Sequence, residues 1–171
     1  MSKSKKKSNS NYQVLFVCSG NTCRSPMAEG LLKVKLPPHL QPEVKVFSCG
    51  TLGLRNQPAT PNAITVAREK DANISPHRSQ GISEKLVANS NIVFCMAEEH
   101  RRFILHHYPV FRDNVFLLRD FGAKQKLEDP DVFDPIGSSV GVYRECCRII
   151  DTELNRILPY LVDLIEQGPH A

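Results

Sequence analysis

A cysteine and an arginine, Cys18 and Arg24, flank five residues that follow a short apolar run. The sequence between them is Ser-Gly-Asn-Thr-Cys, and Ser-Pro follows the arginine. An arginine guanidinium presents paired donors that match two phosphate oxygens, and loop amides ahead of a helix form a concavity for a tetrahedral oxyanion. A cysteine thiolate at the base of this loop can act as a nucleophile. The residue types and spacing therefore indicate phosphoryl transfer through a phosphocysteine.

The elements on the N-terminal side of this loop can be predicted from local pattern. The apolar stretch Gln13–Cys18 is typical of a strand that is buried on both faces. Gly20 and Asn21 then supply backbone turns that tolerate positive φ. The loop amides and Arg24 place positive charge near the sulfur, so we expect the pKa of the Cys18 thiol to be lowered and the thiolate to form at neutral pH.

On the C-terminal side, Ser25 and Pro26 indicate a helix start, with Ser25 as the cap and Pro26 at the first helical position. Strands and helices alternate along the rest of the chain, which predicts an α/β domain with a parallel sheet. The final helix contains Pro159, where we expect a kink or a break. The predicted strands are Gln13–Cys18, Val44–Cys49, Asn91–Met96 and Val115–Leu118, and the predicted helices are Pro26–Leu36, Thr60–Ala72, Ser83–Val87, Glu98–Tyr108 and Val140–Ile165.

The length of 171 residues fits one domain with a sizeable core. The formal net charge is +4, and the four lysines at positions 3, 5, 6 and 7 account for all of it. We therefore predict a disordered basic tail over residues 1–12 and a domain over residues 13–171 that is formally neutral. A neutral body gives no reason to expect a nucleic-acid partner.

The cysteines and the apolar segments indicate where the protein resides. Six cysteines are scattered without a regular framework, which is typical of reduced thiols in the cytoplasm. No apolar stretch is long enough for a secretory signal or a membrane span, so we expect no membrane partner. The histidines show no ligand spacing with cysteines or acids, so we expect no metal and no other cofactor.

The nonapeptide Cys-Ser-Gly-Asn-Thr-Cys-Arg-Ser-Pro at positions 18–26 resembles the signature of the low-molecular-weight protein tyrosine phosphatase family. The resemblance extends from about residue 12 to about residue 165. It implies a four-stranded parallel sheet with helices on both faces. It also implies a metal-independent protein phosphatase whose partner is a phosphorylated protein.

Roles for individual residues follow from the same resemblance. Cys18 is implied as the nucleophile and Arg24 as the phosphate-binding arginine. Asn21 is implied to hold the loop in a strained shape, and Ser25 to donate a hydrogen bond to the thiolate. The remaining loop residues are expected to bind the phosphate together with Asn21 and Ser25; they are Ser19, Gly20, Thr22 and Cys23.

A phosphocysteine mechanism also requires an acid that protonates the leaving group. Three aspartates, Asp129, Asp131 and Asp134, lie in one proline-containing loop. The resemblance implies an acid in Asp-Pro followed by one aromatic residue and a glycine, and Asp-Pro-Ile-Gly from Asp134 matches this frame with isoleucine in the aromatic position. We therefore predict Asp134 as the acid, with Asp129 as the second candidate. The alternative is that all three are solvated loop charges.

Thr22 and Ile136 bear on the substrate. Thr22 resembles a threonine in the bacterial protein arginine phosphatase subgroup, where tyrosine phosphatases of the family usually carry a larger aliphatic residue. Its hydroxyl suits a polar guanidinium leaving group, which favours phosphoarginine over phosphotyrosine. Ile136 departs from the tyrosines of the tyrosine-selective members and from the phenylalanine of the arginine enzymes. Neutral variation at Thr22 is the alternative, so phosphotyrosine stays open.

The sequence leaves open the role of Cys23 and two functions other than phosphate hydrolysis. The resemblance implies that Cys23 forms a reversible disulfide with the nucleophile under oxidation, and a packing role is equally compatible with its type. Arsenate reduction needs two further cysteines on a mobile segment, but the next cysteine after residue 73 is Cys95, at a predicted buried strand end. A non-catalytic phosphoprotein-binding module is a third possibility, although such a module needs neither a thiol nor an acid.

Overall fold

A computed structural model describes residues 11–168, which contain a parallel four-stranded sheet. The strands are β1 (Tyr12–Cys18), β2 (Val44–Gly50), β3 (Ile92–Cys95) and β4 (Val115–Leu117), and they lie in the order β2-β1-β3-β4. The chain crosses from β2 past β1 to reach β3, so the direction of winding reverses between β1 and β3. Ligands in such sheets bind beyond the carboxyl ends of the strands at this reversal. The carboxyl end of β1 is Cys18.

Five α-helices and one short 3₁₀ helix (Pro109–Asn114) accompany the strands in the described part of the chain. Thr60 and Ser83, the first residues of two predicted helices, cap the second and third helices through side-chain oxygens. The second helix ends at Arg68, earlier than predicted, and the last helix continues through Pro159 without being split. The helices are α1 (Arg24–Lys35), α2 (Pro61–Arg68), α3 (Glu84–Asn89), α4 (Glu98–His107) and α5 (Val140–Gln167).

Both faces of β1 are buried, which confirms the prediction made from its continuous apolar run. Val14 and Phe16 face a core that includes residues of α1, α2 and α5. Leu15 and Val17 face a second core, to which α3 and α4 contribute. Because successive strand residues point to opposite faces, a strand between two helical layers needs apolar residues at every position. The predicted fold class is therefore confirmed.

The predicted basic tail lies outside the described residues except for its last two positions. One of these, Tyr12, is the first residue of β1 and is buried, so the strand begins one residue earlier than predicted. Residues 169–171 at the other end of the predicted domain also lie outside the described range. No helix within residues 11–168 is both long enough and apolar enough to cross a membrane.

Candidate active site

The loop that joins β1 to α1 forms the candidate site, and a neighbouring glycine sets its shape. Cys18 pairs in register with Gly50 of β2. A Cβ atom on Gly50 would lie 2.5 Å from the Ser19 carbonyl oxygen and 3.0 Å from the Asn21 nitrogen. Asn21 itself has φ of 56°, in the left-handed region. The close approach of β2 at Gly50 and the left-handed conformation of Asn21 together turn the loop back over the carboxyl end of β1.

The start of α1 differs from the prediction. The helix begins at Arg24 with Cys23 at the cap, and no side chain caps it. Ser25 therefore lies inside the helix, and its hydroxyl is turned towards the sulfur of Cys18, at an Oγ to Sγ distance of 2.9 Å. The Asn21 side-chain amide donates to the same oxygen at 2.8 Å. Because the Ser25 oxygen accepts the hydrogen bond from Asn21, its own hydrogen is left to donate to the Cys18 sulfur.

The Cys18 sulfur is buried and surrounded by donors. Burial raises the pKa of the thiol, whereas the Ser25 hydroxyl, the charge of Arg24 and the backbone amides of Ser25 and Asn21 lower it. Burial is the larger effect, so the net direction is upward and the predicted lowering of the Cys18 pKa is wrong for this structure. The donors nevertheless keep the pKa of Cys18 below the value that burial alone would cause.

Asn21 is fully buried and is held by groups from outside the loop. Its side-chain amide donates to Ser48 Oγ at 2.9 Å, and its side-chain oxygen accepts from the Gln80 backbone nitrogen at 2.9 Å. Its carbonyl oxygen lies 2.7 Å from Nε2 of His77. Ser48 in turn donates to a Glu29 oxygen at 2.8 Å. Sequence reasoning missed Ser48, His77 and Gln80, because they are distant from the loop in the chain and belong to no local motif.

Arg24 is 3% exposed and contacts the aspartate loop, which is the segment from Asp129 to Asp134. Its Nη1 donates to the Val132 carbonyl oxygen at 3.0 Å. Its Nη2 lies 3.3 Å from Oδ2 of Asp134. The other Asp134 oxygen accepts from the Ile136 backbone nitrogen at 3.1 Å, which turns the carboxylate towards the loop. The structure thus brings the predicted acid and the predicted phosphate-binding arginine together.

The three aspartates of the loop occupy different places. Asp131 accepts from the Glu98 backbone nitrogen at 2.8 Å, at the start of α4. Asp129 accepts from the Asp131 backbone nitrogen at 3.1 Å. Both line a groove of about 1060 Å³ beside β4 and α4, which does not include Cys18. Asp134 lines the Cys18 pocket, so geometry favours Asp134 over Asp129 for an acid role.

The pocket above the sulfur has a volume of about 160 Å³. Thr22 and Ile136 line its wall, as expected for residues that contact a substrate, and Ile136 is 57% exposed. Leu52 and Leu54, from the loop after β2, also line it and are exposed, although the sequence analysis did not single them out. The lining residues are Cys18, Ser19, Gly20, Thr22, Cys23, Arg24, Leu52, Leu54, Asp134 and Ile136.

Cys23 turns its sulfur towards two hydroxyl groups. The sulfur lies 3.3 Å from the Tyr143 hydroxyl and 3.5 Å from Thr60 Oγ1. Burial raises the pKa of Tyr143 to about 12, so the phenol is neutral. A packing role for Cys23 fits these contacts, and its redox role stays a prediction. Within residues 11–168, the structure contains no group of three or more histidine, cysteine or acidic side chains that could hold a metal ion.

Comparisons with known proteins cover most of the chain. The family model for low molecular weight phosphotyrosine protein phosphatase matches residues 13–167. A protein-arginine-phosphatase of Bacillus subtilis (strain 168) is 35% identical over 132 residues, 77% of this chain and 85% of that protein. The low molecular weight protein-tyrosine-phosphatase Wzb of Escherichia coli (strain K12) is 34% identical over 117 residues, 68% of this chain and 76% of that protein.

A solved structure extends this similarity to the fold. It is a cysteine-to-serine mutant of the YwlE arginine phosphatase with a phosphorylated active site serine. The match has a TM-score of 0.77 at 32% sequence identity and covers 87% of this chain and 95% of that chain. The family model, the sequence relatives and the shared fold agree with the loop geometry described above. The chain therefore belongs to the low molecular weight phosphotyrosine protein phosphatase family, whose cysteine-based members are protein phosphatases.

Proposed function

We propose that this protein hydrolyses phosphoarginine in proteins through a phosphocysteine intermediate on Cys18. The observation that carries the proposal is the pocket in which Cys18, Arg24 and Asp134 converge beside Thr22. A nucleophile, an anion-binding group and an acid are the three groups that phosphoryl transfer needs.

In the first step, the Cys18 sulfur attacks phosphorus, forming the S–P bond as the bond to the leaving group breaks. The phosphoryl oxygens bind the backbone N–H groups of the loop and the Arg24 guanidinium, which stabilise the charge that develops. Asp134 gives its proton to the departing guanidine nitrogen. For this it leaves the position 3.3 Å from Arg24, which the phosphate takes over.

In the second step, water attacks the phosphocysteine. Asp134, now a carboxylate, removes a proton from the water, the O–P bond forms, and the S–P bond breaks to release inorganic phosphate and the Cys18 thiolate. The Ser25 hydroxyl and the Asn21 amide stabilise the departing thiolate through the contacts that they make with the sulfur. The phosphorylated serine in the mutant YwlE structure supports a covalent route, because it occupies the place of a cysteine.

The pocket wall supports phosphoarginine as the substrate. Leu52, Leu54 and Ile136 are the apolar side chains at its mouth, and no aromatic side chain is among the lining residues that the structure describes. An arginine alkyl chain can lie along aliphatic groups, with its guanidinium near the Thr22 hydroxyl. A tyrosine ring gains more from an aromatic partner on which to stack.

Phosphotyrosine is the second candidate substrate, since the Wzb relative is a protein-tyrosine-phosphatase. Arsenate reduction has less support, because Cys49 and Cys95 are fully buried in strands of the sheet. A non-catalytic binding module also has less support, since it would have no use for Cys18 and Asp134 in one pocket.

Hydrolysis of p-nitrophenyl phosphate without added metal tests the reaction class. We expect the wild-type protein to be active, Cys18→Ser to be inactive, and Cys147→Ala, a buried cysteine of α5 outside the pocket, to retain activity. Activity in Cys18→Ser would exclude the proposed nucleophile.

Competition between phosphoarginine and phosphotyrosine peptides tests the substrate. We expect wild type to prefer phosphoarginine, and Thr22→Ile to shift the kcat/KM ratio about tenfold towards phosphotyrosine, because an alkyl group replaces the hydroxyl beside the leaving group. Thr65→Ile, an exposed position on α2, is the control. An unchanged ratio in Thr22→Ile would contradict the specificity role.

A further inference from the structure

A histidine outside the loop, His100, makes direct contact with it. His100 lies in the first turn of α4, directly after the strand β3 that flanks β1. Its side chain is 1% exposed, and its Nε2 lies 2.9 Å from Oγ of Ser19. Ser19 follows Cys18 directly in the chain and is the first residue of the loop. The sheet therefore brings a buried imidazole against the phosphate-binding loop.

The two ring nitrogens of His100 have different partners, and these define its tautomer. The Ala97 backbone N–H donates to Nδ1 at 3.0 Å. The ring hydrogen is therefore on Nε2, which donates to the Ser19 oxygen. Burial and the positive charge of Arg24 lower the pKa of His100 to about 3, so the ring is neutral at physiological pH.

The Ser19 hydroxyl is fully engaged. Its oxygen accepts from His100 and also from Nη2 of Arg24, at 3.3 Å. Its hydrogen is directed to Oε1 of Glu99, which also lies 3.3 Å away. Because His100 and Glu99 orient the hydroxyl, its remaining lone pair points at the guanidinium. A neutral donor suits this position, since a cation in place of the imidazole would repel Arg24.

We propose that His100 is a positioning residue that fixes the orientation of Arg24 through Ser19. The inference rests on the proposed role of Arg24 as the phosphate-binding group. Arg24 is then held on one side by Ser19 and on the other by the Val132 carbonyl. A guanidinium held on both sides presents its paired donors to a phosphate with little reorganisation when the phosphate binds.

A double-mutant cycle with His100→Asn and Ser19→Ala tests the proposal. Asparagine keeps a short acceptor for the Ala97 N–H, but it cannot extend to Ser19. The readouts are the dissociation constant of inorganic phosphate and kcat/KM for p-nitrophenyl phosphate. We expect each single variant to raise the dissociation constant and to lower kcat/KM about fivefold. The double variant should be no more impaired than the more impaired single variant.

Independent action would overturn the proposal. It is wrong if the two effects multiply in the double variant, or if either single variant binds phosphate as tightly as wild type. If His100 only capped α4, His100→Asn, which keeps an acceptor for the Ala97 N–H, would bind phosphate like wild type and show no coupling to Ser19. Ser19→Thr, which keeps the hydroxyl, is the conservative variant and is expected to retain the coupling.

The design separates this inference from the proposed function. Phosphate binding is measured without turnover, so the cycle remains decisive even if wild type fails to hydrolyse p-nitrophenyl phosphate. If His100→Asn does not fold, the serine variants alone test the contact: Ser19→Ala is expected to weaken phosphate binding and Ser19→Thr to retain it, and wild-type affinity in Ser19→Ala would overturn the proposal.

Discussion

The Cys18 thiol shows how one residue can be subject to opposing effects in a folded protein. Its donors come from the loop and from the first turn of α1, and they favour the thiolate. Its burial comes from the packing of the whole domain, and it favours the neutral thiol. The charge state of the proposed nucleophile therefore depends on each of these donors, since removing one leaves the cost of burial unchanged.

The donor from Ser25 can be removed alone. We expect Ser25→Ala to raise the pKa of Cys18 further, because the largest effect that lowers it is the Ser25 hydrogen bond. Alkylation of Cys18 by iodoacetamide at pH 8, followed by mass spectrometry, should slow about tenfold. Ser75→Ala, an exposed serine, is the control. Equal alkylation rates would show that the hydroxyl does not stabilise the thiolate.

His100 adds a pH dependence to stability. Its pKa is lowered from 6.5 to about 3 on folding, so the unfolded state binds more protons between these values and stability falls as the pH drops through this range. From pH 7 to pH 5, wild type should lose about 2 kcal/mol more unfolding free energy than His100→Asn.

Urea unfolding at both pH values measures this difference. His106→Asn, an exposed position on the same helix, is the control and should follow wild type. Parallel losses in wild type and His100→Asn would contradict the prediction.

At the scale of elements, the loop between β1 and α1 depends on the strand beside it. The backbone of β2 runs so close to the loop at Gly50 that no side chain fits there. Ser48 of the same strand accepts a hydrogen bond from the Asn21 side-chain amide. The loop is thus shaped by β2 as much as by its own glycine and asparagine.

Gly50→Ala tests this dependence. The added Cβ would meet backbone atoms of Ser19 and Asn21 that cannot move independently, so we expect a loss of about 2 kcal/mol in unfolding free energy and weaker phosphate binding. Gly141→Ala is the matched control: in α5, its Cβ would meet only Ser139 Oγ, at 3.8 Å. The control should be neutral or slightly stabilising. Phosphate titration and urea unfolding measure both variants, and equal behaviour would contradict the argument.

At the scale of the molecule, α5 links the two ends of the candidate site. Near its start, Tyr143 contacts Cys23 of the loop. One turn beyond its middle, Arg156 donates to the carbonyl oxygens of Leu118 and Phe121, just before the aspartate loop. Glu153 holds the same guanidinium at 2.6 Å. The helix thereby joins the β1 side of the sheet to the segment that leads to Asp134.

Two arginines of α5 provide a matched comparison. Arg156 and Arg148 each pair with a glutamate three residues earlier in α5, but Arg148 is largely exposed and donates only to that glutamate within residues 11–168. We expect Arg156→Met to lower the unfolding free energy by about 2 kcal/mol, because backbone carbonyls lose a charged donor. Arg148→Met should change it by less than about 0.5 kcal/mol. Urea unfolding decides the matter, and equal effects would show that the carbonyl contacts contribute nothing.

Most features that depend on neighbours in the chain could be predicted from the sequence, although the start of α1 was misplaced. The alternation of apolar runs, the caps at Thr60 and Ser83, and the spacing of Cys18 and Arg24 are local, so their structures follow from local geometry. The Asp-Pro frame pointed to Asp134, and the structure places this aspartate in the pocket.

Features that depend on burial and on contacts between distant segments could not be predicted from local pattern. The pKa of Cys18 is raised because the domain packs around it, which no local pattern reports. The direction of the Ser25 hydroxyl depends on Asn21, whose own conformation depends on β2 and the segment around residue 80. His100 reaches the loop only because β3 pairs with β1. The sequence therefore indicated the proposed chemistry, and the fold sets the charge state and the positions of the groups that we propose for it.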